Sequence, residues 1–139
     1  MAYQKFKISR QAAILGQILG AIEHLKRSQR ECAITLALAA EGQLPSTDKP
    51  HLLKQLTDRA PDLAKDGTLN WQRNWLKHWD ENKPDEVEIS TFDVAIALMR
   101  AITKFIAVYE KTHPEFEAFF KWCEAEGYKE SKTTISGSS

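Results

Sequence analysis

The sequence predicts an all-α protein, an up-and-down bundle of four to five main helices with short helices between them. Apolar residues recur with a helical period along most of the chain, no segment alternates as a strand would, and no internal repeat or glycine-rich phosphate loop occurs. The 139 residues, of which 42% are hydrophobic, are enough for one core. We expect one domain over residues 1–130 and a disordered tail over residues 131–139.

The charge balance and the cysteines exclude several classes of protein. Nineteen basic and nineteen acidic side chains cancel, which argues against a nucleic-acid binder that works by bulk charge alone. Cys32 and Cys123 are too few for a disulfide framework and indicate a reducing compartment. No apolar run reaches the ~18 residues that span a bilayer, so we expect a cytoplasmic protein with no membrane partner.

The first helix is predicted over residues 9–27, where apolar residues repeat at heptad spacing. One line of small residues at spacing four suggests either a membrane dimer motif or close approach of a neighbouring helix, and the polar surroundings favour close approach. This line consists of Ala12, Gly16 and Gly20.

The second helix is predicted from a capping box, because Ser28 is followed by Glu31 at the spacing that satisfies free backbone N–H groups. Residues 32–40 are apolar all round, so this helix should be buried, with Cys32 as a small core side chain. It should end near Gly42.

Turn residues and caps divide the next part of the chain. A short helix is predicted over residues 50–59, and residues 61–67 form a loop before a fourth helix over residues 69–80, which Thr68 can cap. Ser90 should cap a fifth helix over residues 91–111.

The apolar pattern and the positions of Asp93 and Pro114 support the prediction of the last two helices. Asp93 favours the N-terminus of the fifth helix, whose apolar positions cover more than half of its circumference. Pro114 suits the first position of a sixth helix that ends near Gly127. We expect the second and fifth helices to be the most buried.

Three tryptophans recur every four residues along the predicted fourth helix: Trp71, Trp75 and Trp79. Such a stripe is able to stack nucleic-acid bases. The same spacing is what helix burial requires, so a core or dimer face is favoured. Together with Trp122 these are many large rings for a core of this size, and aromatic side chains are enriched in interface cores. We therefore expect a homodimer that uses the fourth helix or its surroundings.

Arg73, Asn74 and His78 carry the strongest chemical signal in the sequence. On a continuous helix Asn74 and His78 would share a face, and Arg73 would lie about one and a half turns from the histidine. Histidine can move the proton of a ribose 2′-hydroxyl or of the leaving oxygen, and arginine can stabilise a phosphorane-like transition state. These residue types in this order favour phosphodiester chemistry.

Residues 73–78, Arg-Asn-Trp-Leu-Lys-His, resemble the R-N-x-x-x-H form of the R-x(4–6)-H motif of HEPN domains (higher eukaryotes and prokaryotes nucleotide-binding). Residues 21–24 and 33–41 resemble the A-I-E-H and A-I-x-L-A-x-A-A-E segments of an uncharacterised bacterial subgroup. The resemblance implies a helical homodimer that brings two motifs together, often for metal-independent RNA cleavage. Many members are toxins or defence components with a cognate partner, and others bind nucleotides or only proteins. The implied site is Arg73, Asn74 and His78.

Three carboxylates are candidate supporting residues. Many toxin members have a tyrosine two residues after the histidine, where this chain has Asp80, an acid that would oppose a phosphate and support a histidinium. Glu23 and Glu41 are candidates to hydrogen-bond Arg73 or His78, and the alternative is that they are surface or helix-end carboxylates.

Neither a metal nor a cofactor is expected. Glu110 and His113 match the Glu-x-x-His spacing of di-iron bundles, but such sites need two copies and two further glutamates. The first thirty residues hold six basic side chains against one acidic, which is either a phosphate-facing patch or, as we favour, a solvated face.

Three functional hypotheses remain open at this point. The chain is a HEPN-like homodimer acting on RNA or a nucleotide, a non-catalytic HEPN-like module that binds a nucleotide or a protein, or an unrelated helical interaction protein. An open cleft across a dimer, with both Arg73–His78 pairs facing it, would favour catalysis, and a motif sealed into packing would favour a structural role.

Overall fold

The computed structural model describes residues 3–52 and 67–127. Within these ranges all regular structure is helical, so the predicted all-α bundle is confirmed. The short helix predicted over residues 50–59, the loop over residues 61–67 and the tail over residues 131–139 lie largely or wholly outside the described residues. The described helices are α1 (Arg10–Lys26), α2 (Arg30–Gln43), α3 (Thr68–Lys77), α4 (Thr91–Tyr109) and α5 (Pro114–Ala125).

The core lies between α1, α2 and α4. Nine residues of α4 and six of α2 are buried, compared with four of α1. The prediction that these two helices are the most buried is therefore confirmed. The expectation that α2 is buried all round is wrong, because Glu31, Thr35 and Ala39 face solvent. None of the described helices has the length and apolar character needed to cross a membrane.

Local capping explains where three helices begin. The Ser9 hydroxyl accepts the N–H of Ala12 (3.1 Å) and starts α1. At α4 the Ser90 hydroxyl accepts the N–H of Asp93 (3.0 Å), and the Asp93 carboxylate accepts the N–H of Ser90 (3.0 Å), which completes a capping box. Pro114 is the first residue of α5, as predicted.

Two predicted caps are wrong. Ser28 has a φ of 60°, and its N–H and that of Gln29 donate to carbonyls at the end of α1, so α2 begins at Arg30 without a side-chain cap. The backbone that would have formed the capping box is used to close the preceding helix. At α3 the N-cap is Gly67, whose φ of 78° suits a residue without a Cβ, and Thr68 is already helical.

The line of small residues brings α1 close to α2 at one position. A Cβ on Gly20 would lie 3.2 Å from the Cδ1 atom of Leu36, tighter than ordinary van der Waals contact. A Cβ on Gly16 would meet nothing within 4 Å. Close helix approach is therefore confirmed at Gly20 and not at Gly16.

The two cysteines differ in their surroundings. Cys123 is buried in the core, and this burial raises the pKa of its thiol to about 12. Cys32, which was predicted to lie in the core, is only half-buried. Both are free thiols.

We expect a thiol reagent at pH 8 to modify Cys32 well before Cys123, because a thiol with a pKa of about 12 holds only about one thiolate in 10⁴ at that pH. Mass spectrometry of peptides from a time course of alkylation measures the two rates. Equal rates in the native protein, rising together in urea, would contradict the burial of Cys123.

Candidate functional site

The motif divides between a helix and the loop that follows it. Arg73 and Asn74 lie on α3, which ends at Lys77. His78 has extended backbone angles (φ −134°, ψ 121°), although its N–H still donates to the carbonyl of Asn74 (3.0 Å). The expectation that Asn74 and His78 share a helix face is therefore wrong.

Lys83 closes the C-terminal end of α3. Its Nζ atom donates to the carbonyl oxygen of His78 (2.9 Å), which the end of the helix leaves free, and to that of Asn74 (3.0 Å), which also accepts the His78 N–H. The indole N–H of Trp75 donates to the carbonyl of Pro84 (2.8 Å), so the returning chain is fixed at a second point. These bonds hold the 78–84 loop against the helix.

Asp80 belongs to the turn of this loop. Its Oδ1 atom accepts the N–H of Asn82 (2.9 Å), and the N–H of Lys83 donates to its carbonyl (3.0 Å). This is the short-range bonding by which aspartate stabilises turns. The carboxylate expected to support a histidinium thus has a structural role in the same loop.

The three motif side chains differ in exposure. Arg73 is half-buried, and its Nη2 atom donates to the Oδ1 atom of Asn70 (3.2 Å). Asn74 and His78 are exposed. The motif is not sealed into the packing of the chain, which was the condition for a structural role.

The supporting carboxylates are engaged elsewhere, so the expectation that Glu23 and Glu41 hold Arg73 or His78 within the chain is wrong. Glu23 pairs with Arg27 one turn along α1 (3.3 Å), where both side chains are exposed. Glu41 lies on the buried side of α2 and faces α4, which places the guanidinium of Arg100 beside it.

The Glu41–Arg100 pair is bidentate. Arg100 donates from Nε to Oε2 (2.9 Å) and from Nη2 to Oε1 (2.8 Å). The two side chains are only 9% and 16% exposed, so the pair joins α2 to α4 with little contact with water. Paired geometry of this kind is how a carboxylate is accommodated in a core.

Gln72 is a site residue that the sequence analysis missed. It is buried on α3, and its Nε2 atom donates to the Glu88 carbonyl (2.8 Å) and to the Asp93 carboxylate (2.8 Å). Its position three residues after Leu69 and four before Leu76, both packed on the core, was the available signal. The side chain anchors α3 to the start of α4.

Glu110 and His113, the single Glu-x-x-His pair, each interact with a residue outside the pair. Glu110 binds Lys49, and this hydrogen bond lowers the pKa of the Glu110 carboxyl. His113 accepts the N–H of Glu115 through Nδ1 (3.1 Å) and caps α5. Across the two described stretches, no group of three His, Cys, Asp or Glu side chains is placed to hold a metal ion.

A surface groove of about 370 Å³ lies at the C-terminal end of α3 and is lined by residues 75–80 and 83–85. We call it the α3-end groove. Trp79 borders it with 87% of its surface exposed, and the groove also contains Lys77 and His78. Trp79 lies beyond the end of α3, so the predicted stripe of three tryptophans on one helix is wrong.

Replacing Lys83 by methionine should destabilise the protein by about 0.3–1 kcal/mol, the usual contribution of a cation at a helix C-terminus. The effect should concentrate at the end of α3, where hydrogen exchange of the His78 amide should accelerate. Lys121→Met is the matched control, because Lys121 is exposed on α5 and lies outside the last turn of that helix. Unchanged exchange at His78 in Lys83→Met would show that the lysine does not close the helix.

Comparisons of the chain with family models, with curated proteins and with solved structures find no match.

Proposed function

We propose that the chain is a HEPN-like homodimer that binds single-stranded RNA or a nucleotide in the α3-end groove, without a metal. In this proposal His78 supplies a polar contact and Trp79 supplies a stacking surface, whereas Arg73 and Asn74 precede the groove on α3 and do not line it. The observation that carries it is the 87% exposed indole of Trp79 next to the exposed His78.

Trp79 is an exposed aromatic side chain on a loop fixed by hydrogen bonds, and a nucleobase can stack on such a surface. The bonds from Lys83 and Trp75 fix the loop before a ligand arrives, so little ordering is needed when a base stacks on the indole. Base–aromatic stacking contributes about 1–3 kcal/mol per base and tolerates any sequence. The proposed specificity is therefore for unpaired bases.

The charges around the groove limit the part that phosphate contacts play. Lys77 and Lys83 are offset by Asp80 and Asp85 in the same lining. A polyanion gains little from such a balanced surface, and the whole chain has a formal net charge of zero. Stacking is thus the main source of affinity in this proposal.

Binding should depend weakly on salt. If fewer than two phosphates are neutralised, the slope of log Kobs against log salt concentration should have a magnitude below about 1.4 for a single strand. Fluorescence anisotropy of a labelled single-stranded RNA across a salt series measures it, with the same sequence as a duplex for comparison. Equal binding of the duplex, or a steep slope, would contradict a stacking surface.

RNA cleavage is the second candidate function, and the exposed imidazole of His78 favours it. In the reaction the 2′-hydroxyl oxygen attacks the adjacent phosphorus and the P–O5′ bond breaks, giving a 2′,3′-cyclic phosphate and a 5′-hydroxyl. His78 of one protomer would take the 2′-hydroxyl proton or give a proton to the leaving oxygen. Asp80 disfavours an approaching phosphate, which is why binding is proposed first.

Incubation of total RNA with the wild type, with and without EDTA, separates the two candidates. Cleavage that persists in EDTA and disappears in His78→Ala would establish the second candidate. His78→Ala should stay within ~0.5 kcal/mol of the wild type in stability, because the side chain is exposed. Binding without cleavage would leave the first proposal in place.

A further inference from the structure

An exposed segment that precedes α1 carries apolar and basic side chains in alternation. Residues 3–9 precede α1 without helical structure, and Tyr3, Phe6 and Ile8 are 84%, 83% and 70% exposed. Lys5 and Lys7 alternate with Phe6 and Ile8 along the sequence. In an extended backbone Phe6 and Ile8 point to one side and the lysines to the other. We call residues 3–8 the N-terminal arm.

A second irregular segment has the complementary pattern. In residues 86–89 the apolar Val87 and Ile89 are half-buried, whereas Glu86 and Glu88 are exposed. Residues 85–89 form no backbone-to-backbone hydrogen bond with the remainder of the described chain. A groove of about 470 Å³, which we call the acidic groove, lies beside this segment, and its charged lining residues are Glu31 and Glu86 against Arg30. Its other lining residues are Ser28, Trp75, Leu76, Val87 and Ile89, and Glu88 is exposed next to it.

The arm is too short to reach the acidic groove of its own chain. It is attached to the N-terminal end of α1, whereas Arg30, in the groove lining, follows the C-terminal end of that helix. The 17 residues of α1 span about 26 Å at 1.5 Å per residue. Phe6 is four residues before Arg10, so an extended chain carries it at most about 14 Å from the start of the helix. An arm that occupies this groove must come from another molecule.

We propose that the N-terminal arm of one copy of this chain docks in the acidic groove of a second copy, and that the exchange is reciprocal. Phe6 and Ile8 would cover Val87 and Ile89. The lysines between them would face Glu86 and Glu88. The Glu88 carbonyl accepts Gln72, and the other backbone groups of residues 85–89 remain available for pairing with an extended strand.

Matching patterns on both segments support a second copy as the occupant. Two lysines at spacing two meet two glutamates at the same spacing, and each pair flanks apolar residues in the same register. A two-fold axis makes both contacts at once, as a closed homodimer requires. The interface does not depend on RNA binding.

Charge reversal tests the docking in the full-length protein. By sedimentation velocity, Lys5→Glu/Lys7→Glu should raise the dimer dissociation constant at least about tenfold, because like charges then oppose each other at both contacts. Glu86→Lys/Glu88→Lys should do the same. The matched controls, Lys111→Glu/Lys121→Glu and Glu117→Lys/Glu124→Lys, change the net charge equally at exposed positions elsewhere and should leave dimerisation unchanged.

A mixture of the two charge-reversed chains gives the sharpest result. Each is impaired alone, but in the mixed pair both contacts again join opposite charges. A heterodimer of near wild-type affinity should therefore form, and circular dichroism checks that both variants are folded. A monomeric wild type, an unimpaired Lys5→Glu/Lys7→Glu variant, or no heterodimer in the mixture would each overturn the proposal. The RNA titration tests the α3-end groove separately, so failure of the docking variants leaves that binding site in place, whereas a monomeric wild type would also contradict the homodimer of the proposed function.

Discussion

Glu41→Ala is expected to lower the free energy of unfolding by about 3–5 kcal/mol, because it leaves the guanidinium of Arg100 between α2 and α4 without its counter-ion. For a chain of this size that corresponds to a fall in Tm of about 10–20 °C. Urea denaturation and thermal melting followed by circular dichroism measure both quantities. The large effect follows from the low exposure of both side chains.

Two further variants control for this result. Glu31→Ala removes an exposed carboxylate from the same helix and should stay within ~0.5 kcal/mol of the wild type. Glu41→Leu/Arg100→Met removes both charges and should recover most of the loss, since no unpaired ion remains. If Glu41→Ala is within about 1 kcal/mol of the wild type, well below the usual cost of a broken buried pair, the two helices are not held by this ion pair.

Trp79→Ala is expected to weaken binding of single-stranded RNA by about 10- to 100-fold, because one stacking surface is lost. Stability should hardly change, since the indole is 87% exposed. Anisotropy titrations of both proteins measure the ratio of their dissociation constants.

Substitutions inside and outside the groove make the Trp79 test specific. Trp79→Phe keeps an aromatic face and should retain most of the affinity. Phe92→Ala removes another exposed aromatic, on α4, and should not alter RNA binding. A Trp79→Ala protein that binds RNA as the wild type does would remove the basis of the proposed function.

The helices that the sequence predicted well are those whose ends are decided by nearby residues. The capping box of Ser90 and Asp93 needs only residues three apart, and the structure contains it. Ser28 and Glu31 have the same pattern, yet no box forms there. The Ser28 N–H instead donates to a carbonyl at the end of α1. A capping motif in the sequence does not indicate whether a backbone N–H will bond to the preceding helix or to the following one.

The candidate site was less predictable because its geometry depends on residues distant in sequence. His78 leaves the helix where Lys83 returns to bind the last carbonyls, whereas periodicity alone extends the helix to residue 80. The partner of Glu41 lies 59 positions away on α4. The sequence alone gave no reason to pair Glu41 with Arg100, because their contact depends on the packing of α2 on α4.

The most direct test of the proposed function is a heteronuclear NMR titration of the wild type with single-stranded RNA. We expect the Trp79 indole N–H and the amides of residues 73–79 to shift progressively, with small changes at residues 28–31, at residues 86–89 and at α5. No shift at millimolar nucleotide, or shifts confined to residues outside the α3-end groove, would contradict it.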